Sequence, residues 1–232
     1  MLLKQRNPNN MKILTYTGRD AFAANCYIII SDSGNAAIID APCGYKNILK
    51  LIEENGGRLS KILLTHGHCD HIESLYPLAE KTGADVYIHT LDERKLHDDH
   101  FNLSEYFNLT DYFGDYYNTV SHFENAHTVE NGDSIVMDEI EFKVLHTPGH
   151  TSGSVCYLAG DIMFSGDTIF ASSIGRTDMP DGNPAIMQQT INMLKGIEQD
   201  FTILSGHGGP TKLSVEKIRN PYLRGNFYDD MF

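Results

Sequence analysis

Lys61-Ile62-Leu63-Leu64-Thr65-His66-Gly67-His68-Cys69-Asp70-His71 reads as a short buried strand, residues 61–65, running straight into a loop of three histidines and an aspartate. Neutral imidazoles and carboxylates are the donors that zinc and related divalent ions prefer. Alternation along the loop can aim His66 and His68 one way and Asp70 and His71 another. That geometry suits two neighbouring cations served from one segment.

Working outward, residues 12–17, 26–31 and 36–40 read as strands, the last two joined by the turn Asp32-Ser33-Gly34-Asn35. A helix at 45–55 follows, with Ile48, Leu49, Leu51 and Ile52 at helical spacing and a stop at Gly56-Gly57. On the other side of the loop a helix at 72–82 ends at Gly83 and a strand occupies 86–89. Strand–helix–strand–helix–strand implies crossover units on a buried sheet.

Residues 91–126 break that rhythm, with eight aromatic side chains between Phe101 and Phe123. This insertion is expected to pack its rings onto the domain or to wall the site as a lid. Strands return at 128–130, 134–137, 141–146, 154–159 and 162–165, then a helix at 184–198, a strand at 201–205 and a closing helix at 214–220.

Three more segments carry metal-type donors beside glycine. Thr147-Pro148-Gly149-His150-Thr151, Phe164-Ser165-Gly166-Asp167-Thr168 and Leu204-Ser205-Gly206-His207-Gly208-Gly209 each follow a strand, where glycine lets backbone approach a ligand closely. A lone loop histidine is ordinarily a surface residue; together with the first motif, these make a site.

Composition narrows what the site can serve. The 232 residues are 41% hydrophobic, ordinary for one globular domain, and no linker interrupts residues 1–232. Residues 1–10 read as a loose arm with no apolar stretch of the kind a secretory leader needs, and no segment is long and apolar enough to span a membrane, so a cytoplasmic protein is expected. The four cysteines, Cys26, Cys43, Cys69 and Cys156, lack paired spacing, which argues against a disulfide scaffold or a thiolate zinc site. A formal charge of −13 without any basic run disfavours nucleic acid. The expected partner is a small-molecule substrate.

His66-x-His68-x-Asp70-His71 followed by His150, Asp167 and His207 resembles the full ligand set of the metallo-β-lactamase superfamily. The text around His150, Asp167 and His207, with Gly175-Arg176-Thr177-Asp178, is similar to its small, single-domain glyoxalase II-like branch. The resemblance implies an α/β fold, a four-layer αββα sandwich with the site at one edge between two sheets. It implies two divalent metal ions, zinc first, with iron or manganese as alternatives. His66, His68 and His150 would hold one ion, Asp70, His71 and His207 the other, and Asp167 would bridge them. Asp40 matches a position that orients ligands from behind, and Arg176 either pairs with Asp178 or binds an anionic substrate group.

Cations about 3.5–4 Å apart can share one hydroxide and polarise a carbonyl. The expected activity is hydrolysis of a small thioester or related ester, since a thiolate leaves with little protonation and no committed acid is evident beyond Asp70. Two other activities of the superfamily stand beside it: an iron-dependent sulfur oxidoreductase of the persulfide dioxygenase type, and a phosphodiesterase or nuclease. The β-lactamase branches carry cysteine or serine where this chain has Asp167, which counts against lactams. Full-length glyoxalase II enzymes have a helical C-terminal region, whereas only one helix is expected here after His207.

Overall fold

Strand β3 (Asn25–Ile30) is buried along its whole length, and its side chains part to two sides. Ile28 and Ile30 enter one apolar cluster, Tyr27 and Ile29 another. A strand apolar on both faces needs cover on both. The computed structural model, which describes residues 5–6, 11–18, 22–107 and 126–225, supplies that cover in layers.

The first sheet runs in chain order: β1 (Gln5–Arg6), β2 (Lys12–Thr17), β3, β4 (Asn35–Ile39), β5 (Arg58–Leu63), β6 (Asp85–His89) and β7 (Ala126–Val129). Its first four strands pair antiparallel; from β4 onward they are parallel. The second sheet holds β8 (Ser134–Met137), β9 (Ile140–His146), β10 (Val155–Ala159), β11 (Ile162–Gly166), β14 (Thr202–Ser205) and β15 (Thr211–Lys212), with β11 and β14 parallel. A small hairpin, β12 (Ile169–Phe170) and β13 (Ser173–Ile174), stands apart.

Between the sheets, Ile29, Ile39 and Leu63 meet Phe142, Tyr157 and Phe164. Behind the first sheet, Ile28, Ile38 and Ile62 pack on helices α1 (Tyr45–Glu54) and α3 (Leu75–Thr82) through Ile48, Ile52 and Leu78. Behind the second, Met163 and Ile203 pack on α4 (Pro184–Gly196) and α5 (Leu213–Arg219) through Met187, Ile191 and Leu213. Consecutive strand residues thus serve different clusters, the period-2 signature of a sheet buried on both faces. The result is the expected αββα sandwich. No helix among the described residues is long and apolar enough to cross a membrane.

Several elements differ from expectation. The helix expected at 72–82 is two: α2 (Cys69–Ile72) and α3. His71 gives its carbonyl to Ala41 N–H, and Pro77 has no N–H for the carbonyl of Glu73, so the ladder cannot run through. The strand expected at 61–65 lies at Arg58–Leu63, because Thr65 N–H goes to the carboxylate of Asp40 instead of a ladder. Within the arm expected to be loose, Gln5–Arg6 pair with Lys12 and Ile13 as an edge strand. Of the aromatic insertion, residues 108–125 lie outside the described residues; 90–96 form a 3₁₀ helix.

Two parallel pairings position the site. In β4 and β5, Ile39 stands opposite Leu63, so Asp40 and Thr65 leave their strands together. In β11 and β14, Gly166 stands opposite Ser205, which sets Asp167 beside His207.

Candidate metal centre

Seven side chains distant in the chain converge where these strand ends meet. His66 and His68 follow the end of β5, and His68, on extended backbone, caps the single-turn helix α2, which presents Asp70 and His71. The alternation expected along the loop does not extend to Asp70 and His71, which a helical turn aims instead. His150 enters from the turn after β9, Asp167 from the end of β11 and His207 from the end of β14.

The donor atoms of His66, His68 and His150 lie within 4.8 Å of one another, as do those of Asp70, His71 and His207. Asp167 reaches both groups: Oδ2 is 3.6 Å from His150 Nε2 and 3.5 Å from His207 Nε2, while Oδ1 is 3.4 Å from His71 Nε2. In the second group, His207 Nε2 is 3.3 Å from Asp70 Oδ2 and 3.3 Å from His71 Nε2. Such packing needs glycine nearby: a Cβ on Gly206 would stand 2.2 Å from Asp167 Oδ1 and 2.7 Å from the His71 ring.

His66 Nε2, His68 Nε2, His150 Nε2 and Asp167 Oδ1 are buried with no hydrogen-bond partner among the described residues. Buried polar atoms without partners cost about 1–3 kcal/mol each. Four of them converging on one spot is the pattern a cation would relieve at the three-histidine group, and the spacing of Asp70, His71 and His207 beside it fits a second.

Electrostatics divide the donors. Burial, then the neighbouring imidazoles, push His66 and His68 well below the ordinary histidine range, leaving neutral ligands. At His71 burial pulls the same way, but Asp70, Asp40 and Asp167 outweigh it and hold the ring well above that range. At His207 burial likewise loses to Asp167 and Asp70, whose carboxylates accept from the ring, and the pKa rises to about 10. Asp167, despite burial, is held well below the carboxylate range by His71, His207 and His150.

Behind the donors, tautomers are set by neighbours. His71 Nδ1 donates to Asp40 Oδ2 at 2.8 Å, and the same carboxylate accepts Thr65 N–H and Thr65 Oγ1–H, both at 2.8 Å. Asp40 adopts φ 62°, a left-handed turn that swings its carboxylate behind the ligands. His150 Nδ1 donates to the backbone carbonyl of Arg176 at 2.8 Å. The Arg176 guanidinium itself makes a two-pronged pair with Asp178, at 2.7 and 2.9 Å, the first of the two roles considered for it. Cys69 is buried against Leu103 and Met179 with its thiol pushed far up by burial, consistent with filler rather than nucleophile.

His89, His97, His100, His127 and His146 belong to no donor group among the described residues. His122 lies outside them. Two residues unnoticed in the sequence, Asp92 and Lys95 of the 3₁₀ helix, are fully buried beside the centre. Nothing in their spacing distinguishes them from a solvated helix face.

Comparison with known proteins bears on the same residues. The family model described as the metallo-beta-lactamase superfamily matches residues 19–207. The hydroxyacylglutathione hydrolase GloC of Haemophilus influenzae is 32% identical over 217 residues, covering 92% of this chain and 98% of that one. Among solved structures, the B3 metallo-beta-lactamase BLEG-1 superposes with a TM-score of 0.78 at 30% identity, covering 93% of this chain and 100% of the other. TTHA1623 in a di-iron-bound form superposes with a TM-score of 0.74 at 27% identity, over 90% and 99% of the two chains.

Proposed function

Because this chain belongs to the metallo-β-lactamase superfamily, we propose that it is a binuclear metal-dependent hydrolase whose substrate is a small thioester or related ester. The observation that carries this reading is the convergence of seven donors in two groups, with Asp167 facing both.

Two divalent ions held there would lower the pKa of water from 15.7 toward 7 and polarise an acyl oxygen. The chain's own part is placement. His66, His68 and His150 form the neutral, buried half, and Asp70, His71 and His207 the more acidic half. Asp70, with its side chain 14% exposed, stands at the open edge, where a carboxylate can take and return a proton. Asp40 keeps the proton of His71 on Nδ1 and so leaves Nε2 free as the donor.

Among acyl bonds, a thioester asks least of this site. A thiolate leaves readily because its conjugate acid has a pKa of roughly 8.5, so departure needs no committed acid, and the site offers none beyond Asp70. That the Haemophilus relative is a hydroxyacylglutathione hydrolase supports the same bond class. The rim pair Arg176–Asp178 is a candidate contact for a polar substrate group. The donor set, imidazole and carboxylate without thiolate, accepts zinc, iron or manganese, and the di-iron form of TTHA1623 makes iron the second candidate.

The test is metal quantification on protein made without a metal-scavenging tag, with turnover measured on a panel of glutathione and coenzyme A thioesters. Two equivalents of metal and hydrolysis of one panel member are expected. One equivalent of iron, with oxygen consumption on a persulfide and no hydrolysis, would replace the hydrolase reading by the sulfur-oxidoreductase one.

A further inference from the structure

Asp92 has no role in the site as described so far, yet its carboxylate is fully buried and carries four hydrogen bonds. Oδ2 accepts Gly67 N–H at 2.9 Å and the Thr151 hydroxyl at 2.9 Å. Oδ1 accepts Gly153 N–H at 2.8 Å and Lys95 Nζ at 2.8 Å. Gly67 lies between His66 and His68, and Thr151 follows His150. One carboxylate therefore grips both loops that deliver the three-histidine half of the centre.

Lys95 extends the grip. Its ammonium, fully buried, bridges Asp92 to Asp181, and Asp181 Oδ2 accepts Ser152 N–H at 3.0 Å and the Ser152 hydroxyl at 2.8 Å. Every residue from Thr151 to Gly153 is thus held by this network. The fit is close: a Cβ on Gly153 would stand 2.6 Å from Asp92 Oδ1. A buried ion pair is weak evidence for stability, because desolvation offsets most of the attraction. Two carboxylates around one ammonium also leave an excess negative charge behind the histidine ligands, where a cation in front would benefit from it.

We propose that Asp92 is a positioning residue, which with Lys95 and Asp181 locks the His66–His68 and His150 loops in the register that makes them a metal site. The inference rests on the metal-centre reading and assigns to this network the affinity and geometry of the three-histidine half alone.

The experiment is Asp92→Asn, near in shape but without the charge and one acceptor, loaded with cobalt(II) as the probe. Binding is followed by titration and by the visible absorption of a four-coordinate site. The expected result is a 10–100-fold weaker affinity at the three-histidine half, the usual scale for an outer partner of a ligand. Its absorption band should alter while binding at the Asp70, His71 and His207 half changes less. Thr151→Val, which removes one of the four bonds, should show the same selectivity to a smaller degree, and it serves if Asp92→Asn does not fold. Unchanged cobalt affinity and spectrum in whichever variant folds, even with a lowered melting temperature, would make the network a matter of stability and overturn the proposal. Wild-type protein that binds no cobalt would overturn the metal-centre reading and this inference together; two-site wild-type binding with equal losses at both halves would overturn this inference alone.

Discussion

Asp40 Oδ2 and His71 Nδ1 lie 2.8 Å apart, both buried, and the contact joins the end of one strand to a candidate metal donor on the next crossover. The carboxylate also saturates the backbone N–H and hydroxyl of Thr65. Asp40→Ala should therefore act twice. It leaves a buried N–H without a partner, costing about 1–3 kcal/mol of stability, and it frees the His71 ring, weakening metal binding about 10–100-fold. Thermal melts and metal titration of the variant measure the two effects separately; intact metal affinity would reduce Asp40 to a structural turn residue.

Asp167 faces both donor groups, so Asp167→Ala should lower bound metal and cut turnover by orders of magnitude. Metal analysis with kcat on the best thioester of the panel checks this. Activity equal to wild type would remove the bridging role.

Asp70 is partly open to solvent, and its substitution should hurt chemistry more than folding. Asp70→Asn is expected to keep the melting temperature within a few degrees while kcat falls at least tenfold. Parallel loss of both would assign the residue to structure.

The metal-free protein should lose stability as pH rises. The folded-state pKa of His207 is raised from 6.5 to about 10. A group raised in the folded state stabilises fully below its unfolded value, and that contribution fades as pH climbs toward the folded value. Metal must displace the same proton, so affinity should increase between pH 6.5 and 10. Melting of chelated protein across that window, and calorimetric titration in buffers of different ionisation enthalpy, test the two halves. A flat melting profile would contradict the charge state given to His207.

The seven donors are legible in the sequence because cation chemistry admits few residue types and the strand ends next to glycine advertise themselves, whereas Asp40 and the division of the donors between two ions are implied only by the resemblance to the superfamily. The layers were legible for a similar reason: Ile28, Ile29, Ile38 and Ile39 leave no face of their sheet uncovered. The break between α2 and α3 is only half visible in the sequence: Pro77 marks it, but Ala41 capturing the His71 carbonyl is a contact from another segment. Gln5–Arg6 is too short for any periodicity to show. Asp92 and Lys95 were hidden by their own polarity: in Leu91-Asp92-Glu93-Arg94-Lys95-Leu96 the buried charges look the same as the exposed ones. Only their partners, at Gly67, Thr151, Gly153 and Asp181, tell them apart.

The parallel pairing of β11 with β14 puts Asp167 and His207 on one half of the sandwich, while the loop after β5 puts His66, His68, Asp70 and His71 on the other. Neither half owns a complete set. A nascent chain that has finished only its N-terminal portion offers four donors and no bridge, so a stable pair of cations can be acquired only once both halves have closed along their shared seam. Loading would in that sense be a certificate of finished assembly, issued at the same edge proposed for the chemistry.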